Sequence, residues 1–329
     1  MEEPFRGRYL VTGGAGFIGS HLVSALLSQG ASVRVLDDGS TGDFGNLQGP
    51  EFAAGGVQSR SGSVLDRLSL EAAAEDCCGV FHLAAAVGVQ RILARTRESL
   101  EVNLEGTRQV VELCRRRQLP LLFTSSSEVY GKAGDACLRE DQELRLEPPS
   151  VARWSYAYAK AAGEAMVLNL HRETALPAVV VRLFNTVGPK QSGRYGMVLP
   201  RFWQAALQGE PLPVHGDGRQ RRTFSAVKEV VASLLALSQE PRAFGEIVNV
   251  AGPEEISILE LAERVKAFAG SDSPIERIPY EQAYPPGYED ILRRRPDLSK
   301  LQRLLGWTPQ SGLEEILRGW QTESCKISA

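Results

Sequence analysis

Short apolar runs and amphipathic stretches alternate along the first half of this chain. Residues 9–11, 31–36, 57–64, 80–85, 120–124 and 178–183 are short, rich in aliphatic residues and bounded by glycine or polar clusters, as strands are. Between them, Phe17, Ile18, Leu22, Val23, Leu26 and Leu27 recur at helical spacing, and the same period returns near 65–74. A long amphipathic helix is predicted over 98–117, with Val102, Leu104, Val110, Val111 and Leu113 as its apolar positions, and another over 155–171. Strands alternating with helices predict an α/β fold: a parallel Rossmann sheet with right-handed crossovers and helices on both faces. From about Asn185 the chain carries more Pro, Gly and Arg in shorter elements. The expected division is 1–184 as the sheet domain and 185–329 as a smaller substrate-binding region, with 223–245 packing back on the sheet.

Gly13, Gly14, Gly16 and Gly19 fall between the first strand and the first helix, in TGGAGFIGSHL. Glycines there permit positive φ and close backbone approach, and the helix start offers free N–H groups to a diphosphate. The second strand ends in Asp37-Asp38, where a carboxylate accepts hydrogen bonds from an adenosine ribose and repels a 2′-phosphate. Asp37 sits directly at the strand end and is the expected partner. Gly13, Gly16, Phe17, Ile18, Gly19 and Asp37 therefore predict a bound dinucleotide, NAD rather than NADP. Leu83, Ala84 and Ala85, small or apolar at the end of the fourth strand, leave room for it across the sheet.

Composition narrows the class without changing this picture. Of 329 residues, 43% are hydrophobic and 23% charged, and the net charge of −3 gives no general attraction to nucleic acid or an anionic membrane. The expectation is a cytoplasmic protein without a signal peptide or membrane span. The five cysteines have no metal-ligand spacing and are expected to be reduced, with no metal site.

Candidate chemistry gathers after the fifth strand. Ser125, Ser126, Ser127 and Glu128 stand at its carboxyl end, where open α/β sheets bind ligands. Tyr156 and Lys160 are four residues apart on the next helix and share a face. An ammonium beside a phenol is expected to lower the tyrosine pKa, so that Tyr156 can take a hydroxyl proton while a nicotinamide takes the hydride. Asn103 is expected to be solvated, Glu164 a helix-surface charge, and His82 and His215 structural.

TGGAGFIGSHL, HLAA at 82–85, SSSEVYG, Tyr156-x3-Lys160, RLFNTVGP at 182–189 and RRRPD at 293–297 together resemble the extended short-chain dehydrogenase/reductase family. Within it they are most similar to UDP-glucuronate decarboxylases and NDP-sugar 4-epimerases. The resemblance implies a homodimer with NAD and a UDP-sugar substrate. It places Ser63 and Val64 near the adenine, Ser126 on the sugar 4-oxygen, Tyr156 as base and Lys160 on the nicotinamide ribose. Ser127, Asn185, Arg194, Arg222 and Arg294 become candidate substrate contacts, Arg222 also a catalytic one, and Arg91 a second candidate for a substrate carboxylate. The 4,6-dehydratases resemble Thr-Asp-Glu where this chain has Ser126-Ser127-Glu128, so their acid is missing. The decarboxylases resemble Thr-Ser-Glu there, which implies a role for Glu128 at sugar C5. UDP-glucuronate decarboxylation to UDP-xylose or a UDP-4-keto-pentose is the leading expectation. A 4-epimerase of a UDP-hexose or UDP-hexuronate follows, then a dehydratase and a non-catalytic sugar-nucleotide sensor.

Overall fold

The computed structural model describes residues 5–53, 55–134, 136–193, 197–284 and 290–327, the last five as backbone only. Its centre is a seven-stranded parallel sheet: β1 (Arg8–Thr12), β2 (Ser32–Asp37), β3 (Val57–Ser61), β4 (Cys77–His82), β5 (Leu121–Ser126), β6 (Ala178–Leu183) and β7 (Ile247–Val250). They lie in the order β7-β6-β5-β4-β1-β2-β3. The order reverses between β1 and β4, and at that switch point Thr12 is in register with His82. Ligands of open α/β sheets bind outside the strand ends at such a crevice.

Alternation along the strands builds both faces. Val179 and Val181 of β6 point to one side, with Val33, Val35 and Val248, and meet Leu22, Val23 and Leu26 of α1 (Phe17–Ser28). Ala178 and Val180 point to the other, with Leu10, Val80, Leu121 and Phe123. There they meet Leu70 of α2 (Arg67–Ala73), Val110 and Leu113 of α3 (Thr107–Arg117), and Val167 and Leu170 of α4 (Ser155–Thr174). Beyond β6 a separate cluster joins Phe202 and Trp203 of α5 (Val198–Gln208) to the later helices. On the same side as α1, α6 (Val227–Gln239) buries Val230 and Leu234 in the cluster that covers the sheet. Leu261 and Val265 of α7 (Ile258–Ala269) and Leu317 and Trp320 of α8 (Leu313–Ile327) complete the C-terminal cluster.

Three local features differ from the pattern reading. β3 stops at Ser61 and β4 at His82, so Ser63, Val64 and Leu83–Ala85 leave the sheet. β7 is a four-residue strand from the C-terminal half that pairs with β6, too short to stand out beside its neighbouring glycines. The predicted helix over 98–117 starts at Thr96 and widens into a π-helix at Glu101–Gly106 before α3. Among the described residues no helix is long and apolar enough to cross a membrane.

Candidate active site

Above the switch point lies a cleft of about 940 Å³ whose walls come from both halves of the chain. Gly13 turns at φ +73°, and a Cβ there would stand 2.7 Å from the Ala84 nitrogen, so the turn and the β4 loop touch only because a side chain is missing. A Cβ on Gly19 would collide with the Gly13 carbonyl, which lets α1 start directly under the turn. Gly16 is the N-cap of α1 and makes no side-chain capping bond, leaving the first-turn amides to an incoming anion. At the end of β2, Asp37 Oδ2 accepts from Ala15 N at 3.0 Å and Oδ1 from Gly39 N at 2.9 Å. Burial pushes its carboxyl up, against the downward pull of the Gly39 and Ala15 amides. Phe17, Ile18, Ser63, Val64, Leu83, Ala84 and Ala85 complete this wall, so every residue expected at the cofactor lines one cleft. A diphosphate fits the glycine cradle and helix start, and a ribose hydroxyl fits Asp37.

At the far end of the cleft, Ser126 closes β5 and its Oγ accepts from Glu128 N at 3.2 Å. The Tyr156 hydroxyl, on the second residue of α4, is hydrogen-bonded to Ser126. Lys160, one turn on and 2% exposed, donates from Nζ to Thr124 O at 2.9 Å and lies 5.9 Å from the Tyr156 ring centroid. Burial pulls its ammonium down to about 7, with Glu164 opposing. The expected lowering of the tyrosine by the lysine is not what this arrangement does. Burial, then the Glu128 charge, push the Tyr156 phenol above its ordinary value, and only the Ser126 hydrogen bond works downward. The lysine charge is spent on a backbone carbonyl, so Tyr156 rests as the phenol.

Glu128 sits in a cluster that sequence order does not reveal. Arg294 Nη1 is 2.7 Å from its Oε1 and Arg153 Nη1 3.0 Å from its Oε2. Arg222, 6% exposed, pairs with Asp290 at 2.8 Å, and Arg153 reaches within 4.0 Å of the same carboxylate. Tyr280 donates its hydroxyl to the other Asp290 oxygen at 3.3 Å. Burial alone would raise the Glu128 carboxyl, but Arg294, Arg153 and Arg222 together hold it down at about 2. It is an anion at any working pH, with 19% of its side chain open to the cleft.

The structure redistributes the remaining candidates. Ser127 is 2% exposed and accepts from Arg294 Nη1 at 3.3 Å, and Asn185 donates to Thr223 O at 2.8 Å while lining the cleft. Arg91 is not available to a substrate carboxylate: it pairs with Glu98 at 2.7 Å and donates to Ser40 O, outside the cleft lining. Arg194 lies outside the described residues. Glu164 is no surface charge but a buried partner of Arg182 (2.7 and 2.9 Å) that accepts from Ser125 Oγ at 2.6 Å. Asn103 is fully buried, not solvated: its side-chain amide accepts from Ala86 N and donates to Ala86 O, both at 3.0 Å, pinning the β4 loop. His82 is structural, as expected, bonded to Thr12 and Thr107. Arg153 was missed although it stands one turn before Tyr156; Asp290 reaches the site from a distant loop and carries no sequence signal.

The NAD dependent epimerase/dehydratase family model matches residues 9–251. The chain is 37% identical to a UDP-N-acetyl-alpha-D-glucosaminuronate decarboxylase of Bacillus cytotoxicus, over 94% of this chain and 95% of that protein. It is 34% identical to UDP-glucuronic acid decarboxylase 1 of Danio rerio, over 96% of this chain and 72% of that protein. Among solved structures, the epimerase Mth375 of Methanothermobacter thermautotrophicus superposes with a TM-score of 0.88 at 28% identity, covering 99% of this chain and 96% of that one.

Proposed function

The chain belongs to the NAD dependent epimerase/dehydratase family, and from that premise we propose that it is an NAD-dependent decarboxylase of a UDP-linked hexuronate, with UDP-glucuronate as first substrate. Residues 1–184, with 223–245 and β7 packed on them, serve as the cofactor part, and the rest of 185–329 as the sugar-nucleotide part. The observation that carries the reading is the arginine cluster, Arg153, Arg222 and Arg294, set beside Ser126 and Tyr156. C6 of a hexuronate is two bonds from C4, so a sugar whose 4-oxygen meets Ser126 and Tyr156 presents its carboxylate close to these cations. Both curated relatives described above are hexuronate decarboxylases, which supports the same substrate class.

The residues divide the work as follows. Gly13, Gly16, Gly19 and Asp37 would hold NAD, which when bound supplies the hydride acceptor at C4 and the donor for its later reduction. Ser126 and Tyr156 orient the 4-hydroxyl; Tyr156 must first lose its own proton to solvent, and its phenolate then takes the proton of the 4-hydroxyl. Oxidation makes C4 a ketone β to the carboxylate. The C5–C6 bond then breaks, CO2 leaves, and its electron pair becomes an enolate whose oxygen Ser126 and Tyr156 stabilise by hydrogen bonding. A proton returns to C5, and the ketopentose is reduced at C4 or released. Ionised Glu128 cannot be the stored acid; it fixes Arg153 and Arg294 beside the substrate. Arg222, Ser127, Asn185 and Arg294 hold the sugar and phosphates. The proposal includes a homodimer, as the resemblance to the family implies. It also includes a cytoplasmic location, in keeping with free Cys77, Cys78, Cys114 and Cys137.

The test is incubation with NAD and, separately, UDP-glucuronate, UDP-N-acetylglucosaminuronate and UDP-glucose, followed by mass analysis of the nucleotide. Loss of CO2 from either hexuronate is expected, and which one reacts faster identifies the sugar. Unchanged mass with inverted C4 would replace the decarboxylase by a 4-epimerase. Tyr156→Phe should lose about 10²–10⁴-fold in NADH formation.

A further inference from the structure

A second set of contacts crosses the cleft on the side of the glycine turn, away from Tyr156. After β6 the chain passes over the start of α1 and turns through Gly188 at φ +154°, where a Cβ would stand 2.7 Å from Val227 Cγ1. Lys190 itself has φ +66°, a left-handed conformation that residues with a Cβ seldom adopt and that persists only where the surroundings impose it. Two bonds impose it here: His21 Nε2 donates to Pro189 O, and Gln191 Nε2 to Thr186 O, each at 3.0 Å. Opposite, the loop at 42–53 folds over the glycine turn. Asp43 N and Asn46 Nδ2 both donate to Ala15 O at 3.0 Å, and a Cβ on Gly42 would stand 3.0 Å from Asp37 Oδ1.

Lys190 joins the two sides. Its Nζ donates to Asn46 O at 2.9 Å, lies 5.3 Å from the Phe52 ring centroid and 4.0 Å from Glu51 Oε1. Asp43, Asn46 and Lys190 all line the cleft beside Asp37, where the adenosine end of a dinucleotide would lie. From this geometry we infer that Lys190 is a positioning residue for the dinucleotide: it clasps the 42–53 loop to the segment after β6 and sets how fast the cofactor enters and leaves. The inference rests on the dinucleotide reading of the cleft and not on the sugar chemistry. A charge-assisted hydrogen bond and a cation–π contact hold the loop down from across the cleft. Breaking them lowers a barrier common to entry and exit, so both rates rise and affinity changes little. A lysine that instead bound a phosphate directly would, when removed, speed release alone and weaken affinity.

The experiment is stopped-flow fluorescence of NADH binding to the cofactor-free protein and of NADH displacement from the holoenzyme by excess NAD. Lys190→Met, which keeps the stem and loses the charge, should raise association and release each about tenfold, with Kd within about threefold of wild type. Lys190→Arg, which keeps the donors, should stay within about threefold in both rates. Asn46→Ala, which frees the loop at its other anchor, should raise both rates as well, and it carries the test if Lys190→Met does not fold. Unchanged rates in Lys190→Met, or faster release with unchanged association and a weaker Kd, would overturn the clasp. Because no sugar nucleotide is present, failure of the decarboxylase reading leaves this result readable.

Discussion

Glu128 acts in this site as a fixed charge and not as an acid. Held at about 2 by Arg294, Arg153 and Arg222, it has no proton to give near neutral pH. Its charge nevertheless reaches the reacting phenol, raising Tyr156 beyond what burial does. Glu128→Gln removes that contribution, so the Tyr156 phenol ionises more readily and the ascending limb of NADH formation against pH moves toward lower pH. The same change leaves Arg153 and Arg294 without their shared carboxylate and loosens the cations around the sugar. Initial NADH formation should therefore survive while CO2 release falls at least about tenfold, measured in single turnovers by NADH absorbance and labelled CO2. Equal loss of both steps would remove Glu128 from everything after C4 oxidation.

At the scale of the element, α4 is the member that aligns the chemistry. Tyr156, Lys160 and Glu164 follow at four-residue intervals, so one face of the helix carries the phenol, the ammonium and the buried carboxylate. Glu164 then fastens that face to two strands, to β5 through Ser125 and to β6 through a bidentate pair with Arg182. Breaking a buried pair leaves a charge with nothing to offset its desolvation. Glu164→Gln should cost about 3 kcal/mol in urea unfolding, and Glu164→Leu with Arg182→Met should recover part of it. A loss below about 1 kcal/mol would mean that the pair behaves like a surface one. The spacing from Tyr156 and Lys160 puts Glu164 on the same inward face, so the expectation of a surface charge fails on helix geometry that the sequence already carries. Asn103 gave no comparable signal, since its partner is the backbone of Ala86, brought there by tertiary packing. The glycine turn, six strands and the Tyr156–Lys160 pair were legible because local spacing specifies them. β7 and Asp290 were not, because pairing across the chain specifies them.

At the scale of the whole molecule, the switch point that makes the cleft also makes the protein sensitive to acid. His82 lies fully buried beneath it, its ring bonded to Thr12 Oγ1 at 2.7 Å and Thr107 Oγ1 at 3.1 Å, so β1, β4 and α3 meet on one imidazole. Burial, and next the Lys160 charge, hold its pKa down at about 3 against 6.5 for the free side chain. The unfolded chain therefore binds this proton first, and stability falls as pH drops below about 6.5, reaching its full loss near the folded value. Glu128 adds a second window. Its folded pKa of about 2 lies below the ordinary 4.5, so its contribution is present above 4.5 and is lost as pH falls towards 2. His21 and His215, both also lowered, add to the first window. Between pH about 6.5 and 5 the His82 contribution alone is about 2 kcal/mol, small enough to follow by urea midpoints without unfolding the protein. His82→Gln keeps a side chain able to bond both threonines but removes the titration. Its stability should fall less than that of wild type over that interval and then join it in the Glu128 window. A variant that loses as much as wild type between pH about 6.5 and 5 would mean that His82 is not the group that takes the proton.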